Sequence, residues 1–356
     1  MKPTGGRPTA FLHLNTGEPP LAPTLGGASV TANGGIQADI GKTRYMLDPH
    51  GQHRADYTFV SHAHLDHMHK PSRHERIIAS SATRELALAR GYDLGETTEE
   101  VEGVELLDSG HILGSRAIRI QDEVYYTGDA SGRVRGFLPR CKTKQARILV
   151  METTYGSPEY IFPPTAKLVK EVNALIGSAY DRGVPVVLMG YPLGKAQLLS
   201  YFFSSWDPIF YHESVDVMNR IHISHGVRLK PGEAYDPAKD ADSLPQGPWV
   251  MVSPMSSGRS RLMAHLRKRY GAILVGFSGW ALGPGYRYTL GADYSFPLSD
   301  HCDYQELIRL VQEVSPEMVY TVHGFASEFA QDLRRMGFSA RPLAPYQSSL
   351  ADFVKA

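Results

Sequence analysis

Cysteine is scarce: the 356-residue chain has two, Cys141 and Cys302, and neither sits in a Cys-x-x-Cys arrangement. A disulfide framework or a thiolate zinc site is therefore not expected, and the compartment is expected to be reducing. Net charge is missing as well. The 37 Lys and Arg equal the 37 Asp and Glu, so no molecule-wide positive field attracts a polyanion, and any contact with one must come from local patches or ions. No stretch approaches the roughly 18 uninterrupted apolar residues that span a bilayer. Residues 1–23 mix Gly, Pro and Thr without the apolar core of a signal peptide. A cytoplasmic protein with no membrane partner is expected. Internal repeats and low-complexity tracts are absent too.

What the chain does have is ordinary for a globular enzyme: 42% hydrophobic and 21% charged residues. Its length exceeds the roughly 250 to 300 residues at which one core stops growing, which predicts one large or two joined domains. Short strands broken by turns are predicted at 44–47, 57–60, 104–107, 117–120, 124–127 and 147–151, with a helix over 80–90 capped by Ser81 or Thr83. After Pro163-Pro164 the style changes. Helices at 165–182, 195–205, 215–222 and 259–270 alternate with apolar strands at 184–189, 208–211, 249–252 and 272–277, the pattern of a parallel sheet covered on both faces. Past Gly283-Pro284-Gly285 the chain is expected to return through a strand, a helix at 304–313, a strand at 318–322 and a final helix at 327–336.

The densest chemical signal is Ser61-His62-Ala63-His64-Leu65-Asp66-His67, directly after a predicted strand. His62 and His64, two apart, project to the same side of an extended segment, while Asp66 and His67 turn into whatever follows. One loop can thus face two metal ions. Imidazole and carboxylate ligands suit zinc, or manganese or iron where oxygen predominates.

The form His-x-His-x-Asp-His resembles the signature of the metallo-β-lactamase superfamily, and further strings follow in that family's order. Asp48 in Tyr45-Met46-Leu47-Asp48 (with Asp39 the weaker candidate), His111 in Ser109-Gly110-His111 and Asp129 in Thr127-Gly128-Asp129 match its later motifs. The resemblance implies that one ion takes His62, His64 and His111, that a second takes Asp66 and His67, and that Asp129 bridges them. His323 in Thr321-Val322-His323-Gly324 would fill the remaining position. A long α/β insert, with Glu152, His301 and His323 in matching strings, resembles the β-CASP nucleases. Gly190-Tyr191-Pro192-Leu193-Gly194-Lys195-Ala196-Gln197 is similar to the ligase-associated DNA exonucleases among them, and similar strings occur in RNA-processing members. The implied fold is α/β: an αββα metallo-β-lactamase sandwich spanning 1–165 and 284–356, with an inserted β-CASP parallel-sheet domain at 166–283.

The function so implied is that of a dinuclear nuclease carrying two Zn²⁺, or Mn²⁺, whose partner is nucleic acid. DNA is mildly favoured, as a 5′ exonuclease or a flap or structure-specific endonuclease in DNA repair, with possible partners in the repair machinery. An RNA-processing ribonuclease is the alternative, and a small-molecule metallo-hydrolase the second; the filled ligand positions count against an idle scaffold subunit. Beyond the ligands, His301 would protonate the leaving sugar oxygen and Glu152 would orient that imidazole. Asp48 would hold the His62 loop as a hydrogen-bond acceptor. Ser253, Ser256, Ser257 and Gly258, ahead of a predicted helix, form either an anion-holding turn or a plain helix cap, and Lys195 is a further candidate for substrate contact. Arg259, Arg261, Arg267, Lys268 and Arg269 could track a strand backbone, though a solvated face is the simpler account. Tyr286-Arg287-Tyr288 could stack bases or belong to a core strand.

Overall fold

The computed structural model describes residues 27–343 apart from positions 33, 73, 74, 241 and 284. The leader reading of residues 1–23, His74 and the tail beyond 343 lie outside the described residues. A first sheet runs in sequence order through β1 (Ala28–Ala32), β2 (Ile36–Ile40), β3 (Thr43–Leu47), β4 (Tyr57–Phe59), β5 (Ile77–Ile78) and β6 (Thr97–Thr98). It is antiparallel as far as β3 and parallel beyond it. Helix α1 (Ser81–Ala89) is capped by the Ser80 hydroxyl, which accepts from the Thr83 N–H, so the cap lies one residue before the earliest expected. A second sheet opens with β7 (Val104–Asp108), β8 (Arg116–Ile120), β9 (Val124–Tyr126) and β10 (Ile148–Glu152).

The chain then leaves that sheet through α2 (Thr165–Tyr180), β11 (Val186–Gly190), α3 (Lys195–Phe202), β12 (Ile209–His212), α4 (Glu213–Ser224), β13 (Glu233–Tyr235), β14 (Val250–Pro254), α5 (Arg261–Tyr270), β15 (Ile273–Phe277), α6 (Tyr286–Leu290) and β16 (Tyr294–Phe296). These six strands pair in parallel in the order β13-β12-β14-β11-β15-β16. Two expectations are corrected here. Residues 286–290 are helix rather than strand, and β16 adds to the insert's own sheet beside β15, so that sheet extends past the boundary expected at 283. The chain returns as α7 (Tyr304–Val314), β17 (Met318–Val322), α8 (Ala326–Arg335) and β18 (Ala340–Pro342), which completes the second sheet as β18-β17-β10-β9-β8-β7.

Period-two alternation decides the layers. In β10, Ile148 and Val150 join Phe59, Tyr126 and Val322 between the two sheets. Their neighbours Leu149 and Met151 face Leu307 and Val311 of α7 and Phe329 and Leu333 of α8. The buried free thiols Cys141 and Cys302 belong to that same helical side. Leu86 and Ala87 of α1 cover the outside of the first sheet, and Leu193 and Met218 of the insert join that cluster, which seats the insert on the sandwich. Within the insert, Val186 and Leu188 face one helical layer while Val187 and Met189 face the other. Each fully buried aliphatic side chain contributes roughly 1.5–3 kcal/mol relative to exposure, so both faces of β11 must stay apolar. Among the described residues, no helix is long and apolar enough to cross a membrane.

The parallel strands place the chemistry. β3 runs parallel to β4, and β9, β10 and β17 are parallel neighbours, so their C-terminal ends gather at one rim. Asp48, Ser61-His62, Asp129, Glu152 and His323 each end or closely follow one of these strands. Asp48 and His323 have positive φ, 43° and 60°, a conformation uncommon outside glycine and concentrated at functional sites.

Candidate metal centre

At that rim, ligand atoms of His62, His64, His111 and Asp129 all lie within 4.8 Å of one another. His111 Nε2 is 3.1 Å from His64 Nδ1, and Asp129 Oδ2 is 3.5 Å from both His62 Nε2 and His111 Nε2. A tetrahedral zinc ion with bonds of about 2.0–2.1 Å spaces its ligands by roughly 3.4 Å. His62 Nε2 is wholly buried with no hydrogen-bond partner among the described residues, a state normally relieved by a ligand. The four residues therefore fit one ion. Each imidazole is turned by its other nitrogen: His62 Nδ1 meets Ser61 Oγ at 2.9 Å, His64 Nε2 meets the Leu193 carbonyl at 3.1 Å, and His111 Nδ1 meets the Asp300 carbonyl at 2.9 Å.

Asp129 is shared. Its Oδ1 lies 3.4 Å from His67 Nε2, itself 3.8 Å from Asp66 Oδ2, and the His323 ring is 5.5 Å from that of His67. A void of about 10 Å³ is bounded by Asp66, His67, His323 and Asp48, close to the size of one water or ion. Asp48 touches no such space with a free oxygen. It accepts from Ser61 N (2.7 Å), Ser61 Oγ (2.6 Å), His67 Nδ1 (2.8 Å) and Tyr126 Oη (2.7 Å), which locks the His62 loop and aims His67 Nε2 at the void. Asp39 is elsewhere, paired with Arg44 on the surface. Gly128 makes the approach feasible: its φ is +52°, and a Cβ there would sit 2.7 Å from Ser61 Cβ.

Electrostatics favour a cation. Burial drives His62 and His111 well below the ordinary imidazole range and brings His64 and His323 down to about 4, so all four are neutral donors near pH 7. Burial also pushes Asp129 up to about 7. Burial alone would empty His67 and His301 of protons, but Asp129 with Asp66 and Asp48 in the first case, and Glu152 with Asp129 in the second, raise both instead. Protons thus collect where carboxylates crowd, which is the field a metal ion satisfies.

Beside the cluster, His301 Nδ1 is 2.9 Å from Glu152 Oε1. Glu152 is fixed in turn by the Ala130 and Thr154 N–H groups at 3.1 Å each, and the His301 ring lies 4.5 Å from that of His111. The segment bearing His301 is braced by Arg135, whose buried guanidinium donates to the carbonyls of Ser299 (2.5 Å), Asp300 (2.9 Å) and Gly110 (2.7 Å). Lys195 lines the cavity at the metal cluster, but its buried Nζ is held by Asp300 Oδ1 at 2.8 Å.

The anion-turn reading of Ser253, Ser256, Ser257 and Gly258 is corrected. Helix α5 opens after Ser260, which caps it. Ser253 is buried on β14, the Gly258 N–H is spent on the Leu290 carbonyl, and none of the four lines the cavity at the metal cluster. Of the basic helix, Arg267 and Arg269 pair with Asp293 and Asp242, as a solvated face would. Tyr286-Arg287-Tyr288 forms exposed helix rather than core strand, with Tyr288 64% exposed. Sequence reasoning missed Arg135, Tyr126 and the Leu193 carbonyl. None carries a local signal, because each acts across the fold.

An αββα sandwich with a His/Asp cluster at its strand ends and a parallel-sheet insert defines a metallo-hydrolase. Comparisons with known proteins narrow that class. The family described as "Zn-dependent metallo-hydrolase RNA specificity domain" matches residues 293–341. The chain is 36% identical over 312 residues to a "Probable DNA ligase" of Opitutus terrae, covering 83% of this chain and 29% of that protein. It therefore spans under a third of that relative's length. It is 26% identical to an "RNase J-like protein" of Methanocaldococcus jannaschii over 82% of this chain and 85% of the other. It is also 24% identical to "Cleavage and polyadenylation specificity factor subunit 3" of Dictyostelium discoideum over 64% and 36%. A solved protein of unknown function from Enterococcus faecalis shares the fold, with a TM-score of 0.59 at 14% identity, over 90% of this chain and 95% of that one. In fold, ligand strings and these relatives the chain is similar to the β-CASP group of the metallo-β-lactamase superfamily.

Proposed function

We propose that this chain hydrolyses nucleic-acid phosphodiester bonds with two metal ions, zinc or manganese. One is held by His62, His64, His111 and Asp129, the other by Asp66, His67, His323 and the second oxygen of Asp129. The observation that carries the proposal is the split of Asp129, one oxygen toward the first histidine cluster and the other toward His67. Bound there, the ions supply a hydrolytic nucleophile at neutral pH and Lewis acidity toward phosphate. The protein's own groups do the rest. His301, turned by Glu152 through Nδ1, leaves Nε2 to protonate the departing sugar oxygen, and Asp48 keeps the ligand loop in register. A small-molecule hydrolase would share the ligands but has no need of the His301–Glu152 pair or the large insert.

DNA is our preferred substrate, cut from ends or at flaps in repair within the cytoplasm. The support is the 36% identity to the protein named a probable DNA ligase. The match to a domain described by RNA specificity, together with the RNase J-like relative, favours RNA as a second reading. The test is cleavage of end-labelled single-stranded DNA, 5′-flap DNA and matched RNA with added zinc or manganese, beside Asp129→Ala and His301→Ala. Metal-dependent DNA cleavage lost in both variants is the expected result. Hydrolysis of a thioester or lactam substrate with no oligonucleotide cleaved would refute it.

A further inference from the structure

A second gathering of ligand-type side chains lies outside the candidate metal centre. Strands β4 and β5 are parallel neighbours, with Thr58 beside Ile77, and the Thr58 N–H donates to the Arg76 carbonyl, so Glu75 arrives level with Thr58 just ahead of β5. His53, on the loop between β3 and β4, and His69, on the segment that follows Asp66-His67, reach the same point. Ligand atoms of His53, His69 and Glu75 all lie within 4.8 Å of one another. Glu75 Oε2 is 2.7 Å from His69 Nε2 and 3.7 Å from His53 Nε2. The Thr58 hydroxyl stands 2.8 Å from His53 Nε2 and 3.5 Å from Glu75 Oε2. A tetrahedral zinc ion spaces its ligands by roughly 3.4 Å, so these separations suit one ion. The side chains of His53, His69 and Glu75 are only 4%, 1% and 12% exposed, which limits competition from water.

Two of the donors are turned inward by bonds on their other side. His53 Nδ1 lies 2.9 Å from the Gly51 carbonyl; a carbonyl only accepts, so Nδ1 carries the proton and Nε2 offers a lone pair to the group. The Ser72 N–H donates to Glu75 Oε1 at 2.7 Å, leaving Oε2 inside. His53 Nε2 and Glu75 Oε2 are thus two acceptors facing each other, with a single hydroxyl proton from Thr58 to share. A cation resolves that confrontation, and two imidazoles with one carboxylate, held from outside in this way, are a donor set for zinc rather than for magnesium or calcium. We propose that His53, His69 and Glu75 bind a Zn²⁺ ion, with the Thr58 hydroxyl or a water as fourth donor, at a site separate from the Asp129 centre. The ion takes the place of the proton that joins His69 to Glu75. Three firm ligands, one of them to be freed from a hydrogen bond, make this the weaker site, so purified protein keeps its two ions and takes up this one from added zinc. Its role is a clip: the loop after Asp48 and the segment after His67 are both tied to β4, beside the half of the centre that holds Asp66 and His67. The site stands or falls independently of the nuclease reading.

Equilibrium dialysis of the full chain against rising zinc tests the proposal. The wild type should bind one equivalent more than either His53→Ala or Glu75→Gln, and its unfolding temperature should rise as that last equivalent binds, with no such rise in the two variants. Magnesium in place of zinc should show no difference among the three proteins, because it demands oxygen ligands. Equal zinc loading of the wild type and both variants overturns the proposal. Because a buried substitution can prevent folding, the wild type supplies a second measurement: crystals soaked in zinc chloride and recorded at the zinc absorption edge. An anomalous peak among His53, His69 and Glu75 is expected, and its absence overturns the site whether or not a peak stands at Asp129. A peak there with none at Asp129 would uphold this site and remove the dinuclear centre from the proposed function.

Discussion

Lys195 Nζ stands 2.8 Å from Asp300 Oδ1, both side chains almost wholly buried, and the pair ties the head of α3 in the insert to the segment that carries His301. Burial would favour a neutral carboxyl, yet Lys195 keeps Asp300 ionised, well below the usual range. The Asp300 carbonyl also turns His111, so the insert and the first histidine cluster share one brace.

Lys195→Met leaves a buried carboxylate unpaired and should cost about 3–5 kcal/mol. Thermal unfolding checks this, with Lys195→Met/Asp300→Asn recovering part of the loss. If the single variant unfolds at the wild-type temperature, the pair is not a brace.

The metal ligands make separable predictions. Metal analysis of purified protein should give two ions in the wild type, loss of the first in His62→Ala, and loss of the second alone in His323→Ala. Asp129→Asn, which weakens both sites, should lower both occupancies. One ion in the wild type under saturating zinc would remove the second site from the proposal.

Glu152→Gln should lower kcat on the order of 10²- to 10⁴-fold with KM little changed, as for loss of a proton donor. Glu152→Gln/His301→Ala should be no worse than His301→Ala alone, because the carboxylate acts through the ring. Burial disfavours the charged imidazole, but Glu152 and Asp129 outweigh it and hold His301 at about 9. A donor is lost as pH rises through its pKa, so removing the Glu152 charge should move the alkaline limb of the kcat profile to lower pH. An unmoved limb would assign that limb to another group.

His222 is wholly buried in α4, its Nδ1 donating to the Met218 carbonyl at 2.8 Å and its Nε2 without a hydrogen bond among the described residues. Burial depresses it to about 4. The unfolded chain therefore binds the proton more tightly, and stability present above about pH 6.5 is lost as pH falls toward 4, by up to roughly 3 kcal/mol. His222→Leu should flatten the urea-unfolding free energy between pH 7 and 5 relative to the wild type. An equal slope in both proteins would rule out His222 as the source.

The candidate ligand residues were legible because of the short strings they sit in: four candidates crowd into Ser61–His67, and Gly128-Asp129 and Val322-His323 follow apolar runs. Continuous apolar runs at β10 and β11 likewise announced buried strands. The Gly283-Pro284-Gly285 stretch misled. It reads as an exit from the insert, but β16 pairs with β15 across nineteen positions of chain, a contact that no local propensity records. Ser253–Gly258 misled in the same way, because a Ser/Gly run looks like a helix start until Ser260 takes that role and Leu290 takes the Gly258 N–H.

Residue type and spacing along a strand end are local properties, and they singled out the side chains that gather at the candidate metal centre. Which atom of each faces the ions was decided across the fold, by the Leu193 and Asp300 carbonyls and the Asp48 carboxylate reaching imidazoles from as far as 189 positions away. The cavity is of the same kind. Arg90, Tyr191 and Trp280 lie on three separate segments, and only the seating of the insert on the sandwich gives them a common space. Backbone carbonyls look alike at every position in a sequence, so hydrogen-bond partners of this kind acquire identity only once the chain has packed.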